Sequence, residues 1–183
     1  TIKGQKMSKS LGNVLLVRDL LNDAPGEAIR FALLSAHYRQ PLDWSSEGLA
    51  QARRSLDYLY GVLRDLNDTP EISRASGLLD AFEAAPEDDL NFPKATAELF
   101  QLAKKARQLQ NAAERASYKA ALRDAGGLLG LLNKHPADWF GQPKENGGDT
   151  ARIQSLVEAR LAARSAKDYT TADQIRDELA ALG

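Results

Sequence analysis

Apolar side chains recur at intervals of three and four along nearly the whole sequence, and no stretch alternates cleanly enough, or is rich enough in β-branched residues, to demand a strand. That period predicts an all-α fold. Pro25 stands where a first helical residue is allowed, and Ala28, Ile29, Ala32, Leu33 and Ala36 form a stripe that ends before Pro41. Ser45 is placed to cap a long helix on which Leu49, Ala52, Leu56, Leu59, Tyr60, Leu63 and Leu66 share one side. Residues 67–74 read as a loop and 75–85 as a short helix, and Pro93 opens another long helix carrying Leu99, Leu102, Ala106 and Leu109. A further helix is expected over 116–132, where Leu128, Leu129, Leu131 and Leu132 predict burial and Gly126, Gly127 and Gly130 predict close helix contact.

Residues 141–149 combine three glycines and a proline in a polar run, the clearest boundary in the chain and an expected mobile linker. Beyond it, Ile153, Leu156, Val157 and Leu161 mark one amphipathic helix, and Ala172, Ile175, Leu179 and Leu182 mark a second. The expected architecture is a helical bundle followed by a small C-terminal helical hairpin.

With 183 residues, 43% of them hydrophobic, the chain can fill the core of one large domain or two small ones. The absence of cysteine excludes disulfides and thiolate zinc sites, and His37 and His135 are too far apart in sequence to be ligands on one helix face. No apolar run approaches the roughly 18 residues needed to span a bilayer, so a cytoplasmic chain with no membrane partner is expected. The net charge of −1 hides a pattern: residues 66–92 sum to −6 and residues 93–135 to +5. Lys104, Lys105, Arg107, Arg115, Lys119 and Arg123 could follow a phosphate backbone, or be the solvated side of two helices.

Near the start, Lys6-Met7-Ser8-Lys9-Ser10 is followed at once by Leu11-Gly12-Asn13. Two lysines three apart, two hydroxyls and the flanking Gly4 and Gly12 suit a loop that approaches phosphates and neutralises charge as it develops. The plain alternative is a flexible basic arm. The run resembles the signature loop of class I aminoacyl-tRNA synthetases. That resemblance implies adenylate formation, in which a carboxylate attacks the α-phosphate of ATP and pyrophosphate leaves. Lys9 would be the first phosphate ligand and Lys6 the second, both catalytic, with Ser8 and Ser10 supporting.

At the hairpin joint, the stretch from Arg160 to Arg176 resembles the C-terminal anticodon-binding module of cysteinyl-tRNA synthetases. Pro25-Gly26-Glu27-Ala28-Ile29-Arg30-Phe31 and Leu34-Ser35-Ala36-His37-Tyr38-Arg39 follow the signature run in that family's order, so the resemblance covers essentially the whole chain. By residue chemistry, Arg164 could pair bidentately with a guanine, Asp173 could accept from a cytosine amino group, and Tyr169 offers a ring for stacking. These types suit a GCA anticodon. The alternative reading has Asp168 capping the last helix, Tyr169 packing on the hairpin, and Arg164 pairing with Asp173 on the surface.

The resemblance implies a parent cysteine–tRNA ligase that uses ATP, with magnesium, to activate cysteine and esterify it to tRNA(Cys); the expected partners are ATP, cysteine and tRNA(Cys), and the expected state is a monomer. Residues 1–13 would be the loop remnant of the catalytic domain and 14–66 a stem-contact region. A helical bundle of the anticodon-binding domain would occupy 67–140, a linker 141–149 and the anticodon-recognition hairpin 150–183. The nucleotide-binding domain and its zinc-bound cysteine site are expected upstream, leaving no metal in this chain and a disordered, inactive loop. Arg30, His37 and Arg39 are candidates to face the inner bend of the tRNA. Phe92 stands where the family usually has a capping threonine, so a lost cap is expected there, and the chain stops at Gly183 short of the family's tail. A mycothiol-pathway cysteine ligase shares the signature loop but lacks a comparable hairpin, and a stand-alone helical tRNA-binding or interaction module is the non-catalytic alternative.

Overall fold

Helices form where the apolar period and a capping side chain agree. The computed structural model describes residues 1–2, 4, 6–72, 77–141, 147–166 and 168–181. Among them a 3₁₀ turn, Lys9–Leu11, is followed by α1 (Val17–Leu20), α2 (Gly26–Leu34), α3 (Ser46–Asp65), α4 (Asp80–Glu87), α5 (Phe92–Gln108), α6 (Ala112–Leu128), α7 (Pro136–Phe140), α8 (Gly147–Ser165) and α9 (Tyr169–Ala181). Among the described residues the extended pairing is a single parallel bridge between Ile2 and Trp44. The all-α expectation is met. Contacts divide the chain into two units, Thr1–Phe140 and Gly141–Gly183. Most of the expected linker, residues 142–146, and Leu182 of the expected hairpin stripe lie outside the described residues.

In the first unit α3 is the spine, packing against α2, α5 and α7, while α5 also packs against α4 and α6. Ser45 caps α3 as expected, its Oγ accepting from the Gly48 N–H at 3.0 Å. Leu56, Leu59, Tyr60 and Leu63 of α3 are buried with Phe82, Leu99, Leu122 and Leu131. Burying a side chain of this size stabilises by about 1.5–3 kcal/mol, and this shared core explains why α4, with only eight residues, persists. Phe100 joins the helices edge-on to Phe31 at 6.3 Å and stacked on Tyr58 at 5.8 Å.

Several local expectations are corrected. Pro25 is the N-cap of α2, with ψ of 141°, and not its first helical residue. Because α2 stops at Leu34, its core face is Ala28, Ile29, Phe31 and Ala32, and Leu33 stays 48% exposed. Of the short helix expected over 75–85 and the loop expected over 67–74, residues 73–76 lie outside the described residues; the helix that is described runs Asp80–Glu87, with 77–79 a turn ahead of it. No cap is lost at Phe92: Asn91, one residue earlier, accepts from the Lys94 N–H at 3.1 Å. Asn111 does the same for α6, accepting from Ala113 and Glu114, so that helix starts at Ala112 and ends at Leu128.

The leucine run is therefore only partly helical. Leu129, Leu131 and Leu132 are buried, but Leu128 is 65% exposed. Gly126 does serve close packing, although against the chain's own return and not another helix: a Cβ there would lie 2.8–2.9 Å from Leu132 side-chain atoms. Gly130, at φ +68°, turns the chain after α6, with the Arg30 guanidinium packed over it.

The basic stretch is not a uniform solvated face. Lys119 is 5% exposed, its Nζ donating to the Thr69 carbonyl at 2.9 Å and pairing with Glu71 at 2.8 Å. The Lys119 ammonium holds the Glu71 carboxyl below the usual range. Arg107 pairs with the Asp65 carboxylate at 2.7 Å, and Arg115 donates to the Asp65 carbonyl. These side chains fasten α5 and α6 to the end of α3.

A half-buried polar hub carries no local signal in the sequence. The Glu27 carboxylate of α2 accepts from the Tyr60 hydroxyl at 2.8 Å and from the backbone N–H groups of Leu132 and Asn133 at 3.1 and 3.2 Å. The Tyr60 hydroxyl in turn accepts from the Lys134 N–H, and its ring stacks on Trp139 at 4.5 Å. Trp139 Nε1 donates to Asp57. One carboxylate thus connects α2, α3 and the segment after α6. Burial pushes the Tyr60 hydroxyl well above its ordinary pKa.

Candidate functional sites

The signature run folds as a closed turn. After Lys6 the chain reaches the 3₁₀ turn at Lys9, and Gly12, at φ +64°, closes it by donating its N–H to the Lys9 carbonyl at 3.1 Å. Asn13 staples the two sides: its Oδ1 accepts from the Ser8 N–H at 2.8 Å and its Nδ2 donates to the Lys6 carbonyl at 3.2 Å. The Ser8 and Ser10 hydroxyls are 3.1 Å apart. The expected disordered loop is thus internally bonded. Lys6 and Lys9 are both exposed on it, and among the described residues neither has an ion-pair partner. Two ammonium groups that pair with no carboxylate among the described residues, beside two hydroxyls, can receive a polyanion.

The entry to this turn is tied down. Gly4 adopts φ +75°, and its N–H donates to Asp43 Oδ1 at 2.9 Å, the same oxygen that accepts from the Thr1 hydroxyl at 2.7 Å. Trp44 N–H donates to the Thr1 carbonyl at 2.8 Å, beside the Ile2 bridge. The Thr1 hydroxyl and then the Gly4 N–H hold the Asp43 carboxyl below the usual carboxylate range.

In the second unit, α8 and α9 form a hairpin joined at Ala166–Asp168, with Lys167 outside the described residues. Asp168 caps α9, accepting from the Thr171 N–H at 3.1 Å and the Thr171 hydroxyl at 2.7 Å; these bonds, the hydroxyl first, lower its carboxyl pKa. Arg152 of α8 pairs with Glu178 of α9 at 2.7 Å. Tyr169 opens α9 and is 64% exposed, so it does not pack on the hairpin. Asp173 lies one turn further along the same helix face and pairs with Arg176 at 2.9 Å, not with Arg164. Arg164 is exposed in the last turn of α8. Tyr169 and Asp173 thus share a face, with Arg164 across the joint.

The segment after α2 is engaged within the fold. The Tyr38 hydroxyl donates to Asp89 at 2.7 Å, Arg39 pairs with the same carboxylate at 3.2 Å, and His37 stacks on Tyr38 at 4.9 Å. Asp89 is itself at φ 54°. Asp89 therefore offsets the positive charge of Arg39.

Three family profiles match the chain in succession. Residues 1–54 match the class I (C) tRNA synthetase catalytic domain, 81–133 the DALR domain, and 147–183 the cysteinyl-tRNA ligase anticodon binding domain. The cysteine–tRNA ligase of Parvibaculum lavamentivorans is 55% identical over 98% of this chain, and that of Xanthomonas campestris pv. campestris 53% over 98%. The chain belongs to the cysteinyl-tRNA synthetase family. The ligase of Maricaulis maris is 51% identical over 100% of this chain. The chain spans about two fifths of the length of these relatives, 38%, 38% and 39% respectively.

Within the synthetase family match, Lys6, Ser8, Lys9, Ser10, Asn13, Glu27 and Asp43 fall in the catalytic-domain profile, and Arg164, Tyr169 and Asp173 in the anticodon-binding one. Asn13 was legible as an extension of the signature run, although its stapling bonds were not. Asp43 carried no signal, because its partners lie 39 and 42 residues away. Among the described residues no cluster of three or more His, Asp or Glu is arranged to hold a metal ion, and no helix is long and apolar enough to cross a membrane.

Proposed function

We propose that this chain is part of a cytoplasmic, monomeric cysteine–tRNA ligase, which activates cysteine with ATP and esterifies it to tRNA(Cys). Residues 1–13 supply the signature turn of the catalytic domain and 14–66 the stem-contact helices. Residues 67–140 form the helical bundle, 141–149 the linker, its last three residues already in the first turn of α8, and 150–183 the hairpin that meets the anticodon. Lys9, then Lys6, neutralise the phosphates of ATP and the departing pyrophosphate, with Ser8 and Ser10 donating hydrogen bonds. Magnesium accompanies the ATP, and the cysteine-binding zinc belongs to the part of the ligase represented in the remaining length of the relatives.

At the hairpin, Tyr169 stacks on an anticodon base, Arg164 pairs with a guanine and Asp173 accepts from a cytosine amino group. The observation that carries this reading is the anticodon-binding match over 147–183, the stretch in which Tyr169 stands exposed at the helix joint. The same match favours the tRNA enzyme over the mycothiol-pathway ligase, and the catalytic-domain match disfavours a stand-alone module.

The test is binding of tRNA(Cys) transcripts to this chain at fixed moderate salt, comparing the GCA anticodon with single-base variants. GCA is expected to bind best. Tyr169→Ala should weaken it by about tenfold, the loss of one stacked base. Arg164→Ala should erase discrimination at one base while leaving that at the other two. Equal binding of every anticodon would exclude the assignment.

A further inference from the structure

The signature turn closes on itself through the bonds that Gly12 and Asn13 make to Lys6, Ser8 and Lys9, and Gly4 at φ +75° and Gly12 at φ +64° adopt left-handed conformations that a side chain at either position would strain. Its internal bonds, through Asn13, fix its shape but not its position. Position comes from its entry, where Asp43 Oδ1 receives both the Gly4 N–H and the Thr1 hydroxyl. Asp43 is followed directly by Trp44, bridged to Ile2, and by Ser45, the cap of α3. The carboxylate therefore sits between the phosphate-facing turn and the first residue of the helix around which the first unit is packed.

We infer that Asp43 is a positioning residue for the signature turn, tying its entry at Gly4 to the start of α3 so that Lys6 and Lys9 are held where phosphate charge develops. Asp43 acts through the turn and touches no substrate. The inference rests on the proposed role of the two lysines. Because the turn hangs from α3, a displacement of that helix carries the lysines with it, and loss of the tie leaves them correctly shaped but loosely placed. Loose placement costs transition-state stabilisation and leaves the binding of cysteine, which this turn does not make, unchanged.

The experiment uses a chimera in which this chain replaces the matching 180 residues of the Parvibaculum lavamentivorans ligase. ATP–pyrophosphate exchange is measured with Asp43→Ala and Asp43→Asn. Asp43→Ala is expected to lower kcat by about tenfold with KM for cysteine unchanged. Asp43→Asn keeps an acceptor oxygen for both donors and should stay within about twofold of the parent chimera. Thermal midpoints of all three proteins should agree within about 2 °C, since the bonds removed are exposed. An unchanged kcat in Asp43→Ala, an equal loss in Asp43→Asn, or a loss matched by a fall in thermal midpoint would overturn the inference. A parent chimera inactive in exchange would instead defeat the functional reading, and this inference with it.

Discussion

Lys9→Ala in the chimera is expected to slow ATP–pyrophosphate exchange by about 10²–10³-fold, the usual cost of deleting one preorganised group that meets charge developing in a transition state. The reason lies in how the turn presents this lysine. Lys9 begins the 3₁₀ turn that Gly12 closes, and Asn13, just beyond the turn, bonds back to the segment carrying Lys6 and Ser8. Neither ammonium is neutralised by a carboxylate among the described residues. Lys6→Ala should cost less than Lys9→Ala, and Lys9→Arg should recover part of the rate, since charge returns with a different donor geometry. Exchange in Lys9→Ala within about twofold of the parent would exclude this lysine from the reaction.

Glu27→Ala should destabilise the chain by about 3 kcal/mol, because three donors lose one charged acceptor at once. The donors are the Tyr60 hydroxyl and the N–H groups of Leu132 and Asn133. Tyr60 is fully buried under Trp139, so its hydroxyl cannot turn to water without opening the stack. A thermal melt of the chain should show a midpoint lowered by roughly 10 °C. Glu27→Gln retains one acceptor oxygen and introduces an amide that clashes with a donor, so it should fall between the two. A midpoint unchanged in Glu27→Ala would mean that the hub contributes nothing net.

Much of the fold was written in local pattern. The 3.6-residue period of Leu56, Leu59, Tyr60 and Leu63, with Ser45 just ahead, determines α3 without reference to any distant residue. Where two local signals competed, the choice was less visible. Asn91 and Asn111 win as caps because each has its amide oxygen within reach of the N–H groups two or three residues on, and this moved the starts of α5 and α6. The leucines at 128–132 looked like one helical face because they are all apolar, yet Gly130 turns the chain between them and leaves Leu128 in solvent.

At the candidate sites, residue identity was readable and tertiary pairing was not. Lys6, Lys9, Arg164, Tyr169 and Asp173 are marked by the family resemblance together with their chemistry, and the exposure of Tyr169 suits a stacking role. The partner of Asp173, by contrast, is Arg176 one turn away and not Arg164. Asp43 and Glu27 reach across 39 and 105 residues to their respective partners Gly4 and Leu132, and such pairings leave no periodic trace. Lys119 looked like surface charge for the same reason: its partners Thr69 and Glu71 belong to a loop some 50 residues earlier.

The most direct measurement is the initial rate at which the chimera joins cysteine to tRNA(Cys) transcripts carrying GCA or a single-base variant. Charging of the GCA transcript should exceed that of each variant by at least about tenfold, the discrimination one good base contact supplies, with the margin shrinking at one base in Arg164→Ala. Equal charging of every anticodon, or no charging of any, would contradict the assignment of this chain to anticodon-reading and ATP-dependent ligation.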